Sequence, residues 1–178
     1  MSMANHASIF PGRVRQFGFI IPDLDAAIEQ WVDLGVAPWF VVRDIPMEGC
    51  WYRGEPSNPV ISVAFSNSGD MQIELIQQHD ETPSIYREFL AATGGGFNQI
   101  AYWVQDVDAV RVAAVAAGWS EVWRGDSGGQ VQFCYLEHPH SPVPIVELTE
   151  FNEATMSMND AVREAAAAWR PGQPVLMG

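Results

Sequence analysis

The sequence predicts an α+β fold built from two copies of a βαβββ module, with a helix appended at the C-terminus. Three observations carry this. Val14 to Phe40 is written a second time from Phe97 to Trp123: at an offset of 83 positions Gln16 falls on Gln99, Asp23 on Asp106, Asp25 on Asp108, Ala26 on Ala109 and Gly35 on Gly118. Each copy passes from a β-branched, aromatic strand with period 2 into an amphipathic helix with apolar residues at helical spacing. Each copy also ends on a strand with one Glu among apolar residues, MQIELIQ holding Glu74 and VPIVELT holding Glu147.

Taken in order, residues 1–12 are small and polar, end in Pro11-Gly12 and read as a loose arm. The first module spans 13–92. Its first strand, Arg13 to Ile21, puts Val14, Gln16, Gly18 and Ile20 on one face and Phe17, Phe19 and Ile21 on the other. Asp23 or Asp25 can cap the helix that follows, whose stripe of Leu24, Ala27, Ile28, Trp31 and Leu34 stops at Gly35. Trp39 to Arg43 is a strand. Pro46 to Pro59 is a Pro/Gly-rich insertion with no counterpart in the second copy. Val60 to Phe65 and Met71 to Gln77 form a hairpin around Asn67-Ser68-Gly69-Asp70, and Ser84 to Ala92 is a short helix.

The joint Thr93-Gly94-Gly95-Gly96 leads into the second module, 97–150, which repeats the order. Its strands are Phe97 to Val104, Ser120 to Arg124, Val131 to Leu136 and Val143 to Thr149; its helix is Val107 to Ala117; Asp126 to Gly129 is a Gly-rich turn. Glu74 and Glu147 align at an offset of 73, because the insertion lengthens the first copy by about ten residues. The C-terminal extension, 152–178, holds a helix from Met158 to Trp169 closed by Pro171-Gly172, expected to pack on its own body or on a second subunit.

Composition narrows the function. A hydrophobic content of 48% with 17% charged residues is that of a packed globular protein. Twenty-two acidic against 9 basic residues, a net charge of −13, argue against nucleic acid and against an anionic membrane surface as partners. Lys is absent, so an anionic substrate would need a local Arg. Cys50 and Cys134 make neither a disulfide framework nor a metal motif, and the start of the chain lacks a signal-like apolar run; both favour the cytoplasm. Of the histidines, His6 sits in the arm, His79 follows a strand, and His138-Pro139-His140 reads as a solvated turn.

RQFGFIIPDLDAAIEQWVDLGVAPWF, SGDMQIELIQQH, GGGFNQIAYWVQDVDA and VPIVELTE together resemble the vicinal oxygen chelate superfamily. This is the group of glyoxalase I, the extradiol dioxygenases, methylmalonyl-CoA epimerase and the bleomycin resistance proteins. The resemblance spans roughly 13–150, is nearest to glyoxalase-like members, and implies a cupped, eight-stranded mixed sheet with four inward residues that hold a divalent metal. Carried over by position, these are Gln16, Glu74, Gln99 and Glu147. The family commonly has His at the first-strand positions, where this chain has Gln twice.

Two Gln and two Glu would favour a hard ion such as Mg or Mn over one that prefers imidazole. The absence of His there disfavours a ring-cleaving dioxygenase. The resemblance implies a glyoxalase-like lyase or isomerase on a small carbonyl compound or thioester, with Glu147 and Glu74 as acid/base groups. The alternative is a metal-free binding protein of the bleomycin resistance type, in which the same four residues form a satisfied polar cluster. The paired Glu favours the first reading and the double Gln the second. Trp103 shares the parity of Gln99 and should face the cup as a substrate contact; Trp51, Tyr52 and Arg53 on the insertion could form a lid, Arg53 holding an anionic group. Family members often dimerise, so a homodimer acting on a small molecule is expected.

Overall fold

A computed structural model describes residues 8–126, 129 and 131–177. The first module contains β1 (Gln16–Ile20), α1 (Leu24–Asp33), β2 (Trp39–Pro46), β3 (Trp51–Tyr52), β4 (Glu55–Pro56), β5 (Val60–Ser68), β6 (Met71–Gln78) and α2 (Ile85–Thr93). The second contains β7 (Gly96–Val104), α3 (Val107–Ala116), β8 (Ser120–Asp126), β9 (Gln132–Glu137) and β10 (Ile145–Glu150). After these come α4 (Glu153–Ala168) and β11 (Leu176–Met177).

The duplication is visible at the helix starts. Asp23 accepts a hydrogen bond from the Ala26 N–H and Asp106 one from the Ala109 N–H, each satisfying an orphan donor of the first turn. Leu24, Ala27 and Ile28 of α1 are buried against the sheet, with Phe17 and Phe19 packed on them. Ile100 and Tyr102 face α3 in the same way. A third core lies between the wings of the sheet, closed at one end by Ile85 and Tyr86 of α2.

All strands belong to one cupped, mixed sheet in the order β11-β2-β5-β6-β1-β7-β10-β9-β8-β3-β4. The eight strands of the two modules form its body. β1 and β7 lie antiparallel at the middle, Gly18 opposite Gln99. β6 lies parallel to β1 with Glu74 opposite Gly18, and β10 lies parallel to β7 with Glu147 opposite Ala101. The seam between the modules thus brings Glu74, Gln99 and Glu147 within reach of one another.

Three features differ from the sequence reading. The insertion at 46–59 is a small hairpin whose first strand pairs with β8 of the other module, Trp51 opposite Arg124. Cys50 anchors it: a Cβ at Gly125 would lie 2.4 Å from the Cys50 sulfur, so glycine is required beneath it. The expected loose arm falls partly outside the described residues, but its Phe10 is buried, stacked on Tyr102 at 5.3 Å and edge-on to Trp119 at 5.0 Å. The last helix begins five residues earlier than Met158, because Asn152 and Thr155 form a reciprocal capping box.

α4 packs on its own chain, over β5, with Val162 fully buried. Among the described residues no helix is long and apolar enough to cross a membrane. Placing a charge at Val162 with no partner should detach α4. Val162→Asp is expected to lower unfolding stability by about 2 kcal/mol or more and to increase dye binding to the uncovered cup, read by urea denaturation and 8-anilinonaphthalene-1-sulfonate fluorescence.

Candidate active site

Gln99 is fully buried at the seam, and its side chain lies across Gly18 of the neighbouring strand. A Cβ at position 18 would come within 2.4 Å of the Gln99 carboxamide carbon, so glycine is what allows this crossing. The Gln99 Nε2 donates toward Tyr135 Oη at 2.7 Å, Glu147 Oε2 at 3.1 Å and Glu74 Oε2 at 3.3 Å. An amide nitrogen has two hydrogens, so three acceptors compete for them. Thr149 donates to the other Glu147 oxygen at 2.8 Å.

Gln16 belongs to a second chain of hydrogen bonds. Its Nε2 donates to Gln72 Oε1 at 3.0 Å, and the Gln72 amide donates in turn to Asn159 of α4 at 2.8 Å. The structure therefore gathers Glu74, Gln99 and Glu147 around one amide and ties Gln16 to the C-terminal helix.

Burial sets the acidity of the two carboxyls. Glu74 is held well above the usual carboxylate range, first by desolvation and then by the charge of Glu147, with the Gln99 hydrogen bond opposing. Desolvation pushes Glu147 up to about 7 against the hydrogen bonds from Thr149 and Gln99. Two carboxyls about one amide in a dry site resist joint ionisation and hold a proton between them near neutrality. Tyr135 and Tyr86, edge-on to each other, are both raised by burial and stay protonated.

The cluster lies on the wall of a cavity of about 560 Å³, which α4 covers with Ala154, Thr155, Met158 and Asn159. Trp103 lines the cavity as its parity requires, backed by Phe151 at 5.5 Å, with the Arg15 guanidinium 5.4 Å from its ring centroid.

The structure does not bring Trp51 and Arg53 to the cup. Pairing of β3 with β8 carries them to the outer edge of the sheet, where Arg53 forms ion pairs with Glu88 at 2.8 Å and Glu137 at 3.0 Å. Trp51 lies under the Arg124 guanidinium at 5.4 Å, beside a separate cleft of about 180 Å³. An Arg already matched by two carboxylates, and away from the cavity, is not placed to hold a substrate anion there.

Among the described residues no group of three His, Cys, Asp or Glu could hold a metal, so an ion in the cup would depend on amide oxygens as well as Glu74 and Glu147. The Gln99 Oε1 is buried with no hydrogen-bond partner. Half a turn of this amide would offer that oxygen to a cation beside the two carboxylates, so the donor set fits a hard divalent ion.

Sequence reasoning missed Tyr135, Thr149, Gln72 and Asn159. Tyr135 stands opposite Glu147 as Phe65 stands opposite Glu74, so the duplication holds a signal for it once the hairpin register is known. Asn159 has no such signal, its contact with Gln72 being purely tertiary.

Residues 15–135 match a family model described as the Glyoxalase/Bleomycin resistance protein/Dioxygenase superfamily. No curated protein matches the chain. Among solved structures, a hypothetical protein from Bacillus halodurans C-125 superposes with a TM-score of 0.59 at 20% identity, covering 79% of this chain and 95% of that one. Methylmalonyl-CoA epimerase from Mycobacterium tuberculosis gives 0.54 at 23% identity, covering 87% and 97%. A Streptomyces coelicolor methylmalonyl-CoA epimerase gives 0.55 at 20%, covering 79% and 95%. At these identities the likeness speaks for the fold alone.

The raised carboxyls fix the sign of a pH effect. The folded state binds more protons than the unfolded one between the ordinary Glu value of 4.5 and about 7, so stability is greatest below that window and declines as pH rises through it. A shift of this size at Glu147 corresponds to a loss on the order of 3 kcal/mol. Urea denaturation from pH 4.5 to 8 should show the decline in the wild type and a flatter profile in Glu74→Gln/Glu147→Gln.

Proposed function

We propose, for a chain that belongs to the glyoxalase/bleomycin resistance protein/dioxygenase superfamily, a lyase or isomerase activity that begins by removing a proton from the carbon beside a carbonyl or thioester. The observation that carries this reading is the pair of carboxyls, the half-buried Glu74 and the buried Glu147, set around one amide on the wall of the cavity. Glu147 is the base. With its acidity near neutrality, it is ionised in a useful fraction and still strong enough to take a proton from carbon.

As the C–H bond breaks, its electron pair moves into a new carbon–carbon double bond and the carbonyl pair moves onto oxygen. Glu74, whose carboxyl is held well above the usual range by burial and the charge of Glu147, and the Tyr135 hydroxyl are the donors available to hold that oxygen. Return of the proton to the opposite face, to a neighbouring carbon, or loss of a leaving group separates isomerase from lyase. A divalent ion held by Gln16, Glu74, Gln99 and Glu147 would add positive charge beside the same oxygen.

Several observations support the reading. The similar epimerases include one solved with methylmalonyl-CoA and one with 2-nitronate-propionyl-CoA. Cys50 and Cys134 are free and buried, in keeping with a reducing, cytoplasmic setting. A homodimer belongs to the proposal, its check being sedimentation at micromolar concentration. The apolar cavity also favours the alternative, a protein that sequesters a small molecule unchanged.

Exchange of the substrate α-hydrogen in D₂O separates the two readings. Turnover should lower at least about 100-fold in Glu147→Gln, and kcat/KM in the wild type should rise with pH through an apparent value near 7; a recovered ligand with no exchange would leave only sequestration. For the metal, Mn²⁺ is expected to raise the melting temperature of the wild type and to have no effect on Glu74→Gln/Glu147→Gln, read by differential scanning calorimetry.

A further inference from the structure

We infer that the cup takes an uncharged, largely apolar carbonyl compound and discriminates against anionic ones. This rests on the proton-abstraction reading and narrows its substrate class. Among the described residues lining the cavity there is no Arg or His, and the chain contains no Lys. The carboxyl groups of Glu74, Glu147 and Asp126 line it, so no lining side chain carries a positive charge.

Most of the nine arginines are committed elsewhere, and Arg13 is exposed and not among the lining residues. Arg43, Arg53, Arg87, Arg111, Arg124 and Arg163 each form an ion pair with a carboxylate. Arg170 donates to the carbonyls of Ala167 and Trp169, and Arg15 reaches the lining at the ring of Trp103. With no divalent ion bound, a carboxylate or phosphate inside the cup would therefore lose its hydration beside carboxyl groups and gain no counter-charge from the protein, so the titrations below are run with a chelator present.

The distribution of polar groups agrees. Gln16, Gln72, Glu74, Tyr135, Glu147 and Thr149 come from the strands at the middle of the sheet and from β9, enough to grip one carbonyl and its neighbouring C–H. The part of the wall that β2 and β5 supply, Val42, Ile45, Ile61, Val63 and Phe65, offers only apolar side chains. α4 covers part of the opening with Ala154 and Met158 and with the polar Thr155 and Asn159. The volume of about 560 Å³ lies in the range that buries most of a small organic ligand. A bicyclic or branched ketone meets each of these conditions; a short dicarboxylate meets none.

The probes are 2-tetralone, an enolisable apolar ketone, and 6-carboxy-2-tetralone, the same skeleton with one negative charge. Isothermal titration at pH 7.5 is expected to show the neutral ketone bound at least tenfold more tightly. Met158→Arg, which puts a cation at the partly exposed roof, should narrow that ratio at least threefold. Equal or tighter binding of the carboxylate, no binding of 2-tetralone, or a ratio unmoved by Met158→Arg overturns the assignment. Deuterium exchange at the 2-tetralone α-carbon, followed by proton NMR, tests the parent reading on its own. Preferential binding of 2-tetralone with exchange no faster in the wild type than in Glu147→Gln would overturn proton abstraction and leave the ligand class standing.

Discussion

Gly18 and Gln99 face each other across the seam between β1 and β7, and the missing side chain on one is the condition for the position of the other. With any Cβ at 18, the Gln99 amide could not lie between the two carboxyls, and the pair would lose its common donor. The arrangement is costly. A buried amide oxygen without a partner costs about 1–3 kcal/mol, and the desolvated carboxyls add a further penalty that grows as they ionise. Such polar groups, kept at the centre of an otherwise apolar sheet, are more readily understood as chemistry than as support for the fold.

The same seam explains why the duplication matters. Two modules joined through their first strands bring the end of each module's sheet to the middle of the molecule, so Glu74 and Glu147, 73 positions apart in the chain, come to one amide. The symmetry is broken at one position of consequence. Tyr135 supplies a hydroxyl where its counterpart Phe65 supplies a bare ring, and the Gln99 amide leans toward that hydroxyl. The site is therefore built mainly on the second half of the repeat, while the first half contributes Glu74 and most of the apolar wall.

Much of this was legible in the residues. The repeat, a capping Asp at 23 or 25, and the strand parity that sends Trp103 to the cup and Tyr102 to α3 follow from period and position alone; the structure chooses Asp23 and its repeat partner Asp106. What parity cannot tell is which strand becomes a neighbour. Trp51 and Arg53 look like a lid because they sit on an insertion rich in aromatics; only the pairing of β3 with β8 shows that they leave the cup. Likewise the stripe on α4 announces a packed helix but not its target, and the contact of Asn159 with Gln72 joins residues 87 apart with no pattern linking them. Phe10 escaped notice because a short apolar pair such as Ile9-Phe10 in a polar arm has no period to detect.

The short strands at the two ends of the sheet have a consequence for solubility. β11 pairs with Trp39 and Phe40 at the start of β2, and the β3–β4 hairpin with Trp123 and Arg124 of β8, so part of the free edge of each long outer strand is withheld from another molecule. Each added strand is two residues long, and β4 contains Pro56, so the new rims offer a poor template for further pairing. The hairpin that guards the second module is encoded in the first. Either half produced alone would therefore expose a long, unprotected strand, and the repeat, however it arose, is now held to existing as a single chain.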